Sequence, residues 1–112
     1  MTRDQEREVV LAALADATRR LLMDLLASHG EASATTLAAD MPVSRQAVVK
    51  HLGILNAAGL VSGERVGREM RYKIRTEPLE ATARWMSRLA TQWDKRLLTI
   101  KRLAEMDDET DR

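Results

Sequence analysis

Four side chains at helical spacing, Arg45, Gln46, Val49 and Lys50, have the chemistry needed to contact nucleic acid. Arginine matches two base-edge atoms of guanine at once, and glutamine matches two of adenine. Valine offers an apolar contact to a thymine methyl group, and lysine offers its charge to a phosphate. Residues 46, 49, 50 and 53 share one face of the predicted helix, and Arg45 and Gln46 lie in its first turn, so this pattern predicts a helix that lies in a groove of DNA.

The surrounding residues predict the helix that holds these side chains, from about Arg45 to Ala58. Ser44 is expected to cap its first turn, and its hydroxyl or backbone could also contact a phosphate. Gly59 is expected to end the helix in a left-handed conformation. An apolar stripe at steps of i, i+4 and i+7 predicts the buried face. The residues of this stripe are Val48, Leu52 and Leu55.

Two residues of this helix each have two interpretations. His51 lies beside the apolar stripe, which favours either partly buried packing or contact with DNA. No other metal-ligating residue lies nearby at ligand spacing, so a metal-ligand role is not expected. Gly53 costs about 1 kcal/mol relative to alanine inside a helix. Either the DNA backbone approaches it closely, or the position tolerates many residues.

The segment after this helix predicts a basic β-hairpin. Apolar and basic side chains alternate between residues 70 and 75, which predicts a strand with one packed face and one cationic face. Gly67 and Arg68 predict the tight turn. Four cations are expected to lie along or in the minor groove, where they would fix the register and supply salt-dependent affinity. They are Arg65, Arg68, Arg71 and Lys73.

A long amphipathic helix is predicted from about residue 79 to residue 106, where apolar residues recur at alternating steps of three and four. A chain of 112 residues has little surface of its own to cover such a helix. We therefore expect a two-fold homodimer through this helix and the first one, residues 4–14, spaced to fit two DNA half-sites. The expected interface residues are Val9, Val10, Ala13, Met86, Ala90, Trp93, Leu97, Ile100 and Ala104.

The charge of the chain is unevenly distributed, although its net value is only +1. Residues 44–75 carry seven basic and two acidic side chains, a net charge of +5. Residues 105–112 carry five acidic side chains and one basic, a net charge of −4, and residues 107–112 are expected to form a disordered acidic tail. Phosphate binding depends on where the positive charge lies, so the total does not argue against DNA.

Composition argues against several other classes of protein. The chain has no Cys and only two His, which excludes disulfides and thiolate metal sites, and no cofactor is expected. It has no GxxxxGK phosphate loop and no evident pair of a catalytic acid and base, so it is not expected to be an enzyme. No apolar run reaches the roughly 20 residues of a membrane span, and the charged N-terminus lacks a secretory core. A cytoplasmic location without membrane contact is expected.

These features predict one domain over residues 1–112, mainly α with a small β-hairpin. The architecture is a winged helix-turn-helix of about five helices and a two-stranded wing. The helix-turn-helix and wing occupy residues 16–75, flanked by the two dimerisation helices. The helices are expected at about residues 4–14, 17–28, 34–40, 45–58 and 79–106.

Four motifs, LADATRR, VSRQAVVKHLGIL, AAGLV and RYKI, resemble the ArsR/SmtB family of small bacterial winged-helix repressors. The resemblance covers about residues 10–75. It implies a homodimer joined by the first and last helices, which represses its own or a neighbouring operon until an effector changes the dimer. It implies a wing contact from Arg65 to Arg71. It also implies DNA contacts at Ser44, Arg45, Gln46, Val49, Lys50 and His51.

The chain departs from the metal-sensing members of that family. Some of these carry cysteines in the first helix of the helix-turn-helix, where this chain has ATTLAADM. Others bind metal through Asp and His pairs on the last helix, which has no His here. The chain resembles the branch without recognised metal ligands, so no metal site is expected. Ala17 stands where the family usually has proline.

The sequence therefore favours a double-stranded-DNA-binding transcriptional regulator, a homodimeric repressor with a small-molecule effector of unknown identity. Two alternatives remain open at this point. In one, the winged helix binds another protein, because this fold also serves that role. In the other, the repressor senses a metal or ligand through an atypical site.

Overall fold

The computed structural model describes residues 2–110, with the side chains of residues 2–107. These residues form a mainly helical winged helix-turn-helix, which confirms the predicted fold class. The helices are α1 (Arg3–Leu14), α2 (Ala17–His29), α3 (Ala34–Ala39), α4 (Arg45–Ala57) and α5 (Thr76–Thr110). The strands are β1 (Ala32–Ser33), β2 (Val61–Val66) and β3 (Glu69–Ile74).

The chain divides into two compact units, one up to Ala81 and one from Thr82 onwards. The first unit contains α1 to α4, the three strands and the start of α5. The second unit consists of the remainder of α5. The helix-turn-helix and the wing therefore belong to one unit, and most of the long last helix forms the other.

The core of the first unit is built from leucine and valine side chains of several elements. The predicted stripe of α4 lies in it, because Val48, Leu52 and Leu55 are each 0% exposed. Full burial of such a side chain stabilises the folded state by about 1.5–3 kcal/mol, so this stripe fixes which side of α4 faces outward. The other fully buried residues of this core are Leu22, Leu26, Leu37, Leu60 and Val61.

Short polar side chains cap the N-termini of α2, α3 and α4, as predicted for Ser44. The Oγ atom of Ser44 accepts a hydrogen bond from the backbone N–H of Ala47 at 3.1 Å. Asp16 and Ser33 cap α2 and α3 in the same way. Gly59 follows α4 with a φ of 76°, a conformation that glycine adopts without the steric cost of a Cβ atom.

The sheet contains one strand that the sequence did not predict. Its order is β1-β3-β2, and both pairings are antiparallel. In β1, Ala32 pairs with Tyr72 and Ser33 pairs with Arg71. Two residues are too few to show an alternating pattern, so β1 has no sequence signature of its own. The wing thus adjoins the start of α3 through a short third strand.

The last helix is longer than predicted at both ends. It begins at Thr76 rather than at residue 79, because Pro78 is tolerated in the first turn, where backbone N–H groups have no partner within the helix. It also continues through residues 107–110, which corrects the prediction of a disordered tail there. Extending a formed helix gains a hydrogen bond for each added residue. Residues 111 and 112 lie outside the described residues.

Candidate nucleic-acid interface

The outward face of α4 carries the four side chains expected to read DNA. Arg45, Gln46, Val49 and Lys50 are all exposed, and Val49 is 41% exposed despite being apolar. Gln46, Val49 and Lys50 lie on the side of α4 away from its buried stripe, and Arg45 lies in the first turn of the helix. The structure therefore presents Gln46, Val49 and Lys50 on one accessible helix face, with Arg45 exposed in the first turn, and a recognition helix contacts a groove with such residues. Their contacts with DNA stay a prediction.

Arg45, at the N-terminus of α4, is positioned by a side chain of α3. The Nε atom of Arg45 donates a hydrogen bond to Oγ1 of Thr35 in α3, at 3.0 Å. This bond reduces the number of conformations open to the guanidinium before any ligand binds. Thr35 could not be identified from sequence patterns, because a contact between two exposed residues ten positions apart follows no periodicity.

His51 lies at the edge of the outward face and is half-buried. Its Nδ1 atom lies 3.4 Å from Nη1 of Arg19 in α2. Arginine has only donor groups, so the imidazole nitrogen accepts this hydrogen bond. The partly buried packing expected for His51 is thus present, and its contact with DNA stays a prediction.

The side chain of Arg19 also caps the C-terminal end of α1. Its Nε atom donates to the backbone carbonyl of Ala13 at 2.6 Å, and its Nη2 atom donates to that of Ala12 at 3.3 Å. The last carbonyls of a helix lack partners within the helix, so these bonds satisfy groups that would otherwise depend on water. Arg19 was not assigned a role from the sequence, although it lies in the LADATRR motif.

Asp16 completes this cluster at the start of α2. Its Oδ2 atom accepts a hydrogen bond from the backbone N–H of Arg19 at 3.0 Å. This bond lowers the pKa of the Asp16 carboxyl below its ordinary value, and the charge of the Arg19 guanidinium acts in the same direction. Asp16 therefore stays ionised beside the Arg19 guanidinium.

The register of the wing shows that its two faces differ from those predicted. Residues directly opposite each other in an antiparallel pair share a face. Glu64 pairs with Arg71, and Val66 pairs with Glu69. The face of Arg71 and Lys73 thus also carries two carboxylates, and its formal charge is zero. The expectation of a cationic face on β3 is wrong, because it considered one strand without its partner.

The positive charge of the wing is concentrated near its tip. Arg65 pairs with Met70 and so lies on the other face, and Arg68 lies in the turn that follows β2. Both are exposed, and neither forms an ion pair within residues 2–107, whose side chains the structure describes. By contrast, Nε of Arg71 lies 3.7 Å from Oε2 of Glu69. Arg65 and Arg68 are therefore the better candidates for phosphate contact.

The residues expected at the dimer interface fall into two groups. Val10 and Ala13 are only 2% and 3% exposed and belong to the core of their own chain, so they are removed from the expected interface. The helix repeat placed them on one side of α1, and α2 covers that side. The remaining residues, which stay candidates for the interface, are exposed: Val9, Met86, Ala90, Trp93, Leu97, Ile100 and Ala104.

Within the described residues, His, Asp and Glu side chains form no group of three or more that could hold a metal ion. Nε2 of His29 lies 3.6 Å from Oδ2 of Asp40, a single pair. In the same part of the chain, every helix is too short or too polar to serve as a membrane span.

Comparison with known proteins places this geometry among regulators. A family model described as a helix-turn-helix domain matches residues 14–64. The transcriptional repressor SdpR of Bacillus subtilis is 32% identical over 88 residues, which are 79% of this chain and 97% of that protein. A similar solved structure is an ArsR-like transcriptional regulator from Rhodococcus sp. RHA1. Its TM-score is 0.82 at 45% identity, and the match covers 94% of this chain and 97% of that one.

A second solved structure is described as a homodimer. It is the homodimeric winged helix-turn-helix DNA-binding domain of Mb0332 from Mycobacterium bovis, described as a possible ArsR-family transcriptional regulator. It matches with a TM-score of 0.61 at 28% identity, over 83% of this chain and 82% of that one.

Proposed function

The chain belongs to the ArsR family of winged helix-turn-helix transcriptional regulators, and we propose that it represses transcription as a homodimer that binds operator DNA. The observation that carries this proposal is the outward face of α4. Its base-reading and phosphate-binding side chains are exposed together, while its apolar stripe is 0% exposed at Val48, Leu52 and Leu55. In this proposal, α4 enters the major groove.

Within α4, we assign each side chain a role from its chemistry. Arg45 and Gln46 lie in the first turn, the part of a recognition helix that reaches base edges, and they read guanine and adenine. Val49 contacts a thymine methyl group, and Lys50 binds a phosphate. Ser44 and His51 flank these residues and contact the DNA backbone, Ser44 at the helix N-terminus, where anions are favoured.

The wing supplies affinity that does not depend on sequence. Arg65 and Arg68 near the tip bind phosphates along the adjacent minor groove, and Arg71 and Lys73 contribute less because Glu64 and Glu69 share their face. The logarithm of the binding constant falls linearly with the logarithm of the salt concentration, and each phosphate that the protein neutralises makes this slope steeper by about 0.9.

The homodimer is supported by the unit from Thr82 onwards. Met86, Trp93, Leu97 and Ile100 recur along one side of α5 and are 46–59% exposed. A continuous apolar stripe of this size on a soluble protein indicates an association surface. A second copy of the chain offers an identical stripe, which buries both in a two-fold arrangement. A two-fold dimer in turn presents two copies of α4 to two half-sites.

We propose that release from DNA does not use the thiol or histidine metal sites of the metal-sensing relatives. The chain has no Cys, and α5 has no His. The signal is then a small-molecule effector or the protein concentration itself. Elemental analysis of the purified protein checks this, since zinc retained at one or more equivalents per chain would overturn it.

A mobility-shift titration tests the DNA-binding proposal directly. The probe is a duplex that the wild-type protein selects from a pool of randomised sequence, and the competitor is a scrambled duplex of equal length. We expect a preference of at least about 1,000-fold at physiological salt and a steep loss of affinity as salt rises. Equal affinity for both duplexes would reject sequence-specific recognition, and no binding to either would favour a protein-binding role.

A further inference from the structure

We propose that Arg19 is a positioning residue that sets the tautomer of His51 and thereby decides which ring nitrogen is offered to DNA. The inference rests on the proposed DNA-binding function, because it concerns a residue at the edge of the reading face. It assigns a part in DNA binding to a residue that lies on a different helix and outside the reading face.

The chemistry follows from the donor inventory of the two side chains. The guanidinium of Arg19 carries only N–H donors, and its Nη1 atom lies 3.4 Å from Nδ1 of His51. Nδ1 can accept this bond only with its lone pair, so the proton of the neutral ring must be on Nε2. In this tautomer the remaining polar atom of the His51 ring, Nε2, is a donor.

The guanidinium is itself held in place by α1. Nε donates to the carbonyl of Ala13 at 2.6 Å and Nη2 donates to that of Ala12 at 3.3 Å, so two of its three nitrogens are fixed by backbone atoms. Asp16 bonds the backbone N–H of Arg19 at 3.0 Å and places a carboxylate in the same cluster. The guanidinium that directs His51 is thus held by two backbone carbonyls of α1.

The position of His51 on α4 indicates which DNA atom receives the donor. His51 is half-buried and borders the stripe that contains Leu52, whereas Gln46 and Lys50 lie on the fully outward side. A side chain at the edge of a recognition helix lies nearest the walls of the groove, where the phosphates are. We therefore assign the Nε2–H of His51 to a phosphate oxygen, a contact that is indifferent to base sequence.

Three variants separate this role from general support of α1. Arg19→Gln removes the bonds to α1 and to His51. Arg20→Gln is the matched control, because Nη1 of Arg20 donates to the carbonyl of Leu14 at 2.8 Å and thus also serves the end of α1. Arg20→Gln removes the same charge as Arg19→Gln, but it leaves the hydrogen bond between Arg19 and His51 of α4 in place. Arg19→Lys is the third variant, which keeps the charge but not the planar fork of donors.

The first measurement is the tautomer of His51 in the full chain, by long-range proton–nitrogen NMR at pH 8, where a free imidazole is neutral. The chain has two histidines, so His29→Gln assigns the signals. We expect wild type and Arg20→Gln to show His51 protonated at Nε2 alone. We expect Arg19→Gln and Arg19→Lys to show a mixture of tautomers. A mixture in wild type, or no change in the Arg19 variants, would overturn the proposal.

The second measurement is affinity for the selected duplex and for its scrambled form. We expect Arg19→Gln to weaken both by about tenfold, the loss of one hydrogen bond, and Arg20→Gln to weaken neither by more than about twofold. On a His51→Ala background, Arg19→Gln should have little further effect. An equal loss in both arginine variants, or full additivity with His51→Ala, would also overturn it. The NMR result does not need DNA, so failure of DNA binding itself is distinguishable.

Discussion

The helices α4 and α5 are both amphipathic, but they expose opposite faces. In α4 the apolar residues Val48, Leu52 and Leu55 are 0% exposed, and the polar and basic side chains face outward. In α5 the apolar residues Met86 and Trp93 are 49% and 59% exposed. The same kind of sequence pattern thus gives a buried apolar stripe in α4 and an exposed apolar stripe in α5.

This difference indicates that the two helices have different roles. The buried stripe packs α4 into the core of its own unit. Its outward side chains are therefore not needed for folding and are available to bind DNA. The apolar stripe of α5 contributes burial energy only when another surface covers it. We therefore expect a partner to contact this side of α5.

The largest effect on stability is expected at the buried stripe of α4. Leu52→Ala should lower the free energy of unfolding by about 2–5 kcal/mol, because it leaves a cavity in a closed core. Urea unfolding at one protein concentration measures this change. The matched control on α5 is Leu98→Ala, whose side chain is 54% exposed and should change stability by less than about 0.5 kcal/mol. Similar losses in both variants would remove the distinction between the helices.

The next largest effect is expected on association through α5. Trp93→Asp should weaken the homodimer by roughly 30-fold or more, because it replaces an aromatic anchor with a charge that the interface would desolvate. Sedimentation equilibrium measures the dissociation constant. Thr91→Asp adds the same charge outside the apolar stripe and should leave the dimer intact. A wild-type chain that sediments as a monomer, or a Trp93→Asp chain that stays dimeric, contradicts the proposed interface.

On α4, sequence and structure agree closely, for a physical reason. The stripe, the Ser44 cap and the Gly59 stop are local patterns, and each depends on residues within a few positions of one another. A helical repeat specifies which side is buried, and the outward residues follow from it. The reading face was therefore predictable as a set of exposed residues, before any tertiary contact was known.

Features that depend on a second element were not predictable. The mixed charge of the wing arises because Glu64 and Arg71 become neighbours only once β2 and β3 are paired in register. The bond from Arg19 to His51 joins residues 32 positions apart and needs the packing of α2 on α4. Sequence periodicity reports the environment of one element, whereas these contacts are set by two.

A third prediction concerns the specificity expected of α4. Gln46→Ala should reduce discrimination at one base pair of each half-site by about 1–3 kcal/mol, because it removes a bidentate contact with adenine. Competition among duplexes that differ at single positions measures this loss. Asn56→Ala, a polar and exposed residue near the C-terminal end of the same helix, should leave the preferences unchanged. Equal preferences in wild type and Gln46→Ala would show that another part of α4 reads the DNA.

A smaller effect is expected from the wing, which contrasts with α4 in being blind to sequence. Arg68→Ala should weaken binding to all duplexes alike and reduce the salt slope by about 1. Arg71→Ala should change the slope less, because Glu69 lies 3.7 Å from its Nε atom and offsets its charge. Affinity measured over a series of salt concentrations compares the two. A larger slope change for Arg71→Ala would show that DNA displaces Glu69.

The smallest effect is expected at Gly53, on the outward face of α4. A Cβ atom at this position would meet nothing within 4 Å, so Gly53→Ala should stabilise the free protein by about 0.5–1 kcal/mol through helix propensity alone. If α4 lies deep in the groove, the added methyl group should also weaken DNA binding, because the glycine then marks a close approach of the DNA backbone. Unfolding and DNA titrations on the same preparation separate the two effects. Greater stability with unchanged affinity would show that the position is merely tolerant, and that α4 meets DNA through its first two turns.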